Sequence, residues 1–375
     1  MSILFSSEDG WILSHLDYMH KIYENVQYED SYETLKFKDN FFKINSQFSR
    51  QNQIENGNTD KEVKPRKKKR KLNVLPEDVL QQKNFVKEMS EKILKDIKNQ
   101  KLFVNIITDD NRQSRLESRN FYIERSDLNS NYHGMNEKDV AIIAEFRSEK
   151  YVFPNNCEFY CYDIKHIREK LNMARKYDFI VLDPPWWNKS IRRKKAQFRE
   201  SSYNMMYNEE LMEIPIGDLL STNGIVAVWC TNSASQIKSV LEDIFPAWNV
   251  IFRAKWYWLK VTQSGKPVCN YNESHGKQPY EQLIIGSTAT VNVNVPDKKV
   301  IISVPSAIHS HKPPLIELFK SYLPEHPQCL EIFARYLLPG WISWGLEVLK
   351  FQHLSLYNFT KVSHVDKGPG SKGNI

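Results

Sequence analysis

The hydrophobic residues of this 375-residue chain follow two different spacings, one before and one after about residue 150. Between residues 76 and 100, apolar side chains recur at helical spacing and predict one amphipathic helix. These side chains are Val79, Leu80, Phe85, Val86, Met89, Ile93, Leu94 and Ile97. A second, shorter helix is predicted over residues 137–149. The first part of the chain is therefore predicted to be mostly helical.

After residue 150 the apolar residues occur in short runs rich in β-branched and aromatic side chains. The runs cover residues 158–164, 179–186, 224–232, 250–261, 281–287, 299–305 and 329–335, and helical segments separate several of them. Strands that alternate with helices predict a doubly wound α/β sheet, in which ligands bind at the carboxyl ends of the strands. Asp163, Asp183 and the segment after Trp229 stand at such ends.

Composition divides the chain further. Residues 1–50 are predicted to be an N-terminal accessory segment, and residues 51–75 a linker, because residues 51–64 have almost no large apolar side chains. Residues 76–150 are predicted to form a helical accessory domain and residues 151–360 the main α/β domain. The last residues, 361–375, are predicted to be a flexible tail.

The net charge of +7 is concentrated in places. Residues 64–71, KPRKKKRK, predict a nuclear-import signal or a nucleic-acid arm, with a merely solvated linker as the alternative. We therefore expect a nuclear protein, with the cytoplasm as a second compartment. The five cysteines are scattered and indicate neither disulfides nor a zinc ribbon. No signal peptide and no run of about 20 apolar residues is present, so a soluble protein without membrane contact is expected.

The segment VLDPPWWNKSIRRKK, residues 181–195, carries the most specific chemistry. Pro184 and Pro185 fix the backbone after Asp183 and remove two N–H donors. The Asp183 carboxylate and the Pro184 carbonyl then offer hydrogen-bond acceptors, and Trp186 offers a flat face. This set suits an exocyclic amine on a planar heteroaromatic ring such as adenine. The alternative is a strand-ending turn with buried tryptophans, and Trp187 is left without a role.

Four motifs carry a family resemblance: DPPW at 183–186, KQPYE at 277–281, IISVPSAIHSHKPPL at 301–315 and LEIFARYLLPGWISWGLEVLKFQH at 330–353. Over about residues 150–355 the chain resembles the DPPW-type N6-adenine methyltransferases. The resemblance implies a Rossmann-like class I sheet, S-adenosylmethionine as methyl donor, and methylation of the adenine 6-amino group in RNA, specifically 2′-O-methyladenosine in a small nuclear RNA. DNA adenine is the alternative substrate. A catalytically weak nucleic-acid-binding relative, or a scaffold that acts through its N-terminal region, is the alternative to an enzyme.

The resemblance also implies roles for particular residues. The catalytic turn would be Asp183, Pro184, Pro185 and Trp186. Donor-binding residues would be Asp163 and Ile164 at the adenine, Asp183 and Lys312 at the methionine end, and Arg335 and Glu347 at the ribose. On the substrate side, Glu281 would lie near the acceptor base and Tyr203 in a substrate loop.

The residues after the DPPW turn form a basic loop that would grip phosphates. They are Asn188, Lys189, Ser190, Arg192, Arg193, Lys194 and Lys195. No metal site is predicted, because the spacing of His275, His309 and His311 fits no known cluster. We expect the protein to act as a monomer without an obligate partner subunit.

Two positions depart from the family pattern. Tyr336 and Leu346 stand where the family carries asparagines associated with the donor pocket. Each lost side-chain hydrogen bond is worth about 0.5–1.5 kcal/mol, so weaker donor binding is expected.

Overall fold

The computed structural model describes residues 2–48, 76–97, 100, 102–104, 110–123, 131–187, 205–271, 277–289 and 294–360. Its strands are β1 (Ile3–Ser6), β2 (Gly10–Leu13), β3 (Val26–Tyr28), β4 (Ser31–Phe37), β5 (Tyr132–Asn136), β6 (Ala141–Phe146), β7 (Glu149–Phe153), β8 (Cys157–Cys161), β9 (Tyr177–Leu182), β10 (Leu220–Cys230), β11 (Val250–Lys260), β12 (Tyr280–Thr288), β13 (Val300–Ser303), β14 (Cys329–Ile332), β15 (Trp341–Trp344) and β16 (Tyr357–Thr360).

The α-helices in the same residues are α1 (His15–Ile22), α2 (Glu77–Asp96), α3 (Arg112–Ile123), α4 (Ile167–Lys170), α5 (Asn208–Met212), α6 (Ile216–Leu219), α7 (Ala234–Ser239), α8 (Phe245–Ala247) and α9 (Ile316–Phe319). A π-helical segment, Val240–Ile244, joins α7 to α8. Short 3₁₀ turns cover Asp39–Phe42, Ile164–His166, Lys320–Tyr322 and Leu354–Leu356. None of the helices described is both long and apolar enough to cross a bilayer.

Eleven strands form the main sheet, in the order β1-β2-β13-β11-β12-β10-β9-β14-β15-β8-β5. The five neighbours β10, β9, β14, β15 and β8 run parallel to one another. β12 is antiparallel to both β10 and β11. Because neighbouring parallel strands end at the same edge, the residues that follow these five strands are collected along one side of the sheet.

The hydrophobic core lies on both faces of this sheet. Along β9, Phe179 and Val181 face one buried cluster, and Ile180 and Leu182 face the other. Residues 179–182 of this strand are buried on both faces, which is why they read as a continuous apolar run. The predicted α/β sheet is confirmed, and each of the seven predicted runs contains a strand.

The N-terminal region contributes to the same sheet. β2 pairs in parallel with β13, and β1 extends the sheet as its outermost strand. The predicted amphipathic helix is confirmed as α2, which places Val86 and Ile93 against Leu259 and Ile302 of the sheet. The sheet therefore draws strands from both sides of the predicted boundary at residue 150.

The helix predicted over residues 137–149 is wrong, because this segment belongs to β6, β7 and the turn between them. Arg147 and Ser148 form that turn with φ values of 53° and 63°. Positive φ at both central residues is the hairpin geometry that Asn-Gly usually signals, and neither residue gives that signal. β6 and β7 belong to a second sheet, ordered β16-β4-β3-β6-β7. The predicted linker with its basic run and the predicted tail lie outside the described residues.

Candidate active site

Charged side chains follow four neighbouring parallel strands at one edge of the main sheet. Asp183 follows β9, Arg335 lies three residues after β14, Glu347 lies three residues after β15, and Asp163 follows β8. The strand order β9-β14-β15-β8 places these four residues in a row. Residues far apart in sequence are therefore brought to the edge where α/β sheets bind ligands.

Asp183 and Arg335 are the most enclosed of these groups, each at 8% exposed. Asp183 Oδ1 lies 3.3 Å from Lys312 Nζ, and Asp183 Oδ2 accepts a hydrogen bond of 2.6 Å from Arg335 Nη1. A carboxylate can be buried at low cost only when cations and donors surround it. The structure thus brings together three residues that the sequence assigned to one site.

The ion pairs continue in both directions from Asp183. Lys312 Nζ lies 2.6 Å from Glu281 Oε2, and Glu281 also pairs with Lys260. On the other side, Arg335 Nε lies 3.3 Å from Glu347 Oε2. Lys350 closes the series, with its Nζ 3.0 Å from Glu347 Oε1. The result, which we call the charge row, alternates cation and anion from Lys260 through Glu281, Lys312, Asp183, Arg335 and Glu347 to Lys350.

Electrostatics keep the middle of the charge row ionised. Burial alone would raise the pKa of Glu281, but Lys260 and Lys312 hold that pKa well below its ordinary value. Burial alone would lower the pKa of Lys312, but Asp183 and Glu281 raise it. Both groups are therefore charged at neutral pH.

Glu331 lies beside the charge row but behaves differently. It stands inside β14, opposite Val181 of β9, and is 6% exposed. Burial, reinforced by the negative charge of Asp183, raises its pKa from 4.5 to about 8. It lines a small cavity together with Trp229, Lys312 and Tyr336. Sequence reasoning missed this residue, although an acid within the apolar run CLEIF is the signal that marks it.

The backbone of the DPPW turn is held by two hydrogen bonds. The Trp186 N–H donates to the Pro184 carbonyl at 2.8 Å, and the Met206 N–H donates to the Pro185 carbonyl at 3.0 Å. The Trp186 indole N–H donates to the Trp229 carbonyl at 2.8 Å, and Trp186 is only 6% exposed. Most of that indole is covered by protein, and its role as a stacking face stays a prediction.

Asp163 and Ile164 lie at the far end of the row of strands. The Asp163 carboxylate accepts a hydrogen bond of 3.1 Å from the Lys165 N–H, which begins a 3₁₀ turn. The Asp163 side chain remains partly open to solvent, whereas Ile164 packs against the core. Their predicted contact with the adenine of the donor stays a prediction.

Several predicted substrate residues lie outside the described residues: Asn188, Lys189, Ser190, Arg192, Arg193, Lys194, Lys195 and Tyr203, together with His275. In the described part of the chain, no group of three histidine, cysteine or acidic residues is placed to hold a metal ion. Burial lowers the pKa of His309 to about 4 and that of His311 to about 3, so both imidazoles are neutral at pH 7. Nearby Lys312 and Arg335 add to the effect on His309.

The two residues that depart from the family pattern have different surroundings. Tyr336 is buried, and its hydroxyl donates to the Lys312 carbonyl at 3.4 Å, so it supports the backbone of the charge row. Leu346 is 46% exposed and precedes Glu347 directly. Of the two, only Leu346 therefore has an exposed side chain at the sheet edge.

A mixed α/β sheet whose parallel strands are followed by charged residues is consistent with the fold of class I methyltransferases. Residues 177–347 match the family model described as MT-A70. The matched residues include β9, β10, β14 and β15 together with Asp183, Arg335 and Glu347.

Three relatives show what the chain is similar to. N(6)-adenine-specific methyltransferase METTL4 of Homo sapiens is 38% identical over 233 residues, which are 59% of this chain and 48% of the relative. N6-methyladenosine RNA methyltransferase MTA1 of Pyricularia oryzae is 37% identical over 191 residues, 49% of this chain and 50% of the relative. The DNA N6-methyl methyltransferase of Caenorhabditis elegans is 32% identical over 226 residues, 58% of this chain and 59% of the relative. The chain spans about half the length of these relatives.

Proposed function

We propose that this protein transfers a methyl group from S-adenosylmethionine to the 6-amino group of adenine in RNA. The observation that carries the proposal is Asp183, a buried carboxylate fixed by Lys312 and Arg335 at the end of β9 and followed by a rigid Pro-Pro turn. The MT-A70 match and the names of the relatives support the same reaction.

The charge row fits the methyl donor. The methionine end of S-adenosylmethionine carries an ammonium and a carboxylate, which require an acid and a cation side by side, as Asp183 and Lys312 are. Ribose hydroxyls donate to a carboxylate, and Glu347 lies next along the row beside Arg335. When bound, the donor supplies an electrophilic methyl group, and these residues would hold and orient it.

On the acceptor side, the task of the protein is positioning. The lone pair of an adenine 6-amino group is delocalised into the ring, so the amine is a weak nucleophile. The Asp183 carboxylate and the Pro184 carbonyl are acceptors that can hold the two N–H groups and direct the nitrogen toward the methyl carbon. No strong base is needed before transfer, because the nitrogen becomes acidic once it is methylated.

Incubation of the protein with donor and with separate RNA and DNA pools, followed by mass spectrometry of the nucleosides, tests this proposal. We expect N6-methylated adenosine from RNA, and no product from Asp183→Asn once circular dichroism shows that the variant is folded. Asp218→Asn is the matched control, since Asp218 forms an exposed pair with Arg168 far from the turn and should keep full activity. Normal turnover by Asp183→Asn would overturn the assignment.

The finer substrate is also part of the proposal: 2′-O-methyladenosine in a small nuclear RNA, as the family motifs suggest. Matched oligonucleotides that differ only in the 2′ group of the target adenosine test it, and equal kcat/KM for both would contradict it. A DNA oligonucleotide of the same sequence tests the alternative substrate, and a higher kcat/KM for it would favour DNA adenine. We further propose that the enzyme acts as a monomer. We also propose that it enters the nucleus through residues 64–71, and a reporter fused to that segment would test this import.

A nucleic-acid-binding relative with weak donor affinity is the second candidate. It is favoured by Leu346, an exposed apolar side chain where the family pattern has an asparagine. Calorimetry with S-adenosylmethionine separates the two, because the enzyme requires donor binding. The absence of binding at millimolar donor, combined with normal RNA binding, would support this candidate instead.

A further inference from the structure

Two aromatic rings lie together at the surface beside the DPPW turn. The rings of Trp187 and Tyr207 are nearly parallel, at 23°, with their centroids 6.4 Å apart. Tyr207 is 58% exposed and Trp187 is half-buried, whereas the preceding Trp186 is 6% exposed. Of the two adjacent tryptophans, Trp187 is thus the one with an accessible indole.

The backbone on both sides of this pair is fixed. Trp186 and Met206 form a parallel β-bridge, and the Met206 N–H donates to the Pro185 carbonyl at 3.0 Å. Trp187 and Tyr207 directly follow the two bridged residues, so the bridge places them next to each other. The Tyr207 N–H donates to Glu210 Oε2 at 2.7 Å, and the Gln236 side-chain amide donates to the Trp187 carbonyl at 3.3 Å. The main chains that carry the two rings are thus held by hydrogen bonds, and both residues remain partly accessible to solvent.

The position of the pair relates it to the acceptor site. Trp187 is four residues after Asp183, so their Cα atoms are at most about 14 Å apart. The Pro-Pro turn between them is rigid. A strand of nucleic acid whose target adenine reaches Asp183 would therefore bring a neighbouring nucleotide to the aromatic pair.

We propose that Trp187 and Tyr207 form a stacking platform for the nucleobase next to the target adenine. The inference rests on the proposed function, since it requires a nucleic-acid substrate. Every base has a π-face, so the platform would add affinity while tolerating many sequences. Core packing does not explain why two aromatic rings lie together at the surface, whereas base stacking does.

Oligonucleotides with one target adenine, made as RNA and as DNA, test the platform. For each we compare an intact strand with strands that lack the base immediately 5′ or 3′ of the target. Loss of one stacked base weakens binding by about 5- to 150-fold. We expect KM of the wild-type protein to rise within that range for one of the two abasic strands, with kcat and the Kd of S-adenosylmethionine unchanged. Equal KM for all three strands would overturn the platform.

Protein variants complete a double-mutant cycle with the abasic strands. Trp187→Ala should raise KM as much as the missing base does, and the two changes together should cost no more than either alone. Trp187→Phe and Tyr207→Phe keep a flat ring and should restore most of the affinity. Tyr32→Ala is the matched control, because Tyr32 is 59% exposed on the second sheet. If the fold-increase in KM for the two changes together equals the product of their separate fold-increases, direct stacking is contradicted.

A fluorescence measurement separates failure of the platform from failure of the proposed function. 2-Aminopurine beside the target should be quenched when the strand binds, and Trp187→Ala should abolish the quenching. If the wild-type protein methylates the strand without quenching, the platform is wrong and the proposed function stands. If no strand is methylated but quenching depends on Trp187, the platform stands and the protein is a nucleic-acid binder without the proposed activity.

Discussion

The buried carboxyl of Glu331 offers a test of the electrostatics of the site by a single substitution, Glu331→Gln. In the folded protein the pKa of Glu331 is about 8, whereas its ordinary value is 4.5. Between these values the folded state binds one proton more than the unfolded state. The free energy of unfolding must therefore fall as the pH rises from about 4.5 to about 8. Only below about pH 4.5 does Glu331 cost the fold no stability.

The size of the effect follows from the two pKa values. Each pKa unit corresponds to about 1.4 kcal/mol, so the ionisable group lowers the stability of the wild-type protein by about 3 kcal/mol at pH 7. The same reasoning gives about 1 kcal/mol at pH 5 and about 4 kcal/mol at pH 8. Glutamine has nearly the same volume and cannot ionise. Glu331→Gln should therefore be the more stable protein, by a margin that grows with pH.

Urea unfolding of both proteins at pH 5, 6.5 and 8, with the free energy extrapolated to water, measures this margin. All other titrating groups are shared, so the difference between the two proteins isolates Glu331. Glu281→Gln is the control with the opposite sign, because Lys260 and Lys312 lower the pKa of Glu281 and its charge stabilises the fold at neutral pH. A stability difference between wild type and Glu331→Gln that is independent of pH would refute the reasoning.

Three further predictions concern the proposed donor and RNA binding. Leu346→Asn should tighten binding of S-adenosylmethionine by about 2- to 12-fold in calorimetry, if one hydrogen bond is regained. Gly345→Ala would place a Cβ 2.4 Å from the Ala334 carbonyl oxygen, so we expect about 1–3 kcal/mol lower stability and weaker donor binding. At Gly340 an added Cβ would meet nothing within 4 Å, but a φ of 74° strains alanine, so Gly340→Ala should lower stability while leaving donor binding unchanged and is the control for lost stability alone. Neutralising Arg192, Arg193, Lys194 and Lys195 should reduce the salt dependence of RNA binding, and an unchanged slope would place the phosphate contacts elsewhere.

The sequence predicted the main sheet well because its strands are buried on both faces. Residues 179–182 of β9 and 225–230 of β10 are apolar at every position, and such short runs rich in β-branched side chains favour strands over helices. The second sheet was missed for physical reasons. Its strands are partly exposed, its turn at Arg147 and Ser148 lacks glycine, and β4 pairs with β16 from the other end of the chain. Pairing over such a distance leaves no local pattern.

The site shows the same division. Asp183, Lys312, Arg335, Glu347 and Glu281 could be assigned because each stands in a motif. Lys260 and Lys350 could not, because they join the charge row only through the order of the strands. The burial of Trp186 was equally hidden, since the sequence gives two adjacent tryptophans and no means of deciding which one faces solvent.

Two neighbouring carboxyl groups, those of Asp183 and Glu331, have opposite roles at this edge of the sheet. Asp183 lies just past the end of β9, where Lys312 and Arg335 reach both of its oxygens. Glu331 lies within β14, where burial and the charge of Asp183 keep its proton in place at neutral pH. If both were ionised, the two like charges would compete for the same cations. Because Glu331 stays neutral, it does not draw Lys312 and Arg335 away from Asp183, Glu281 and Glu347, and the alternation of charges along the row is kept.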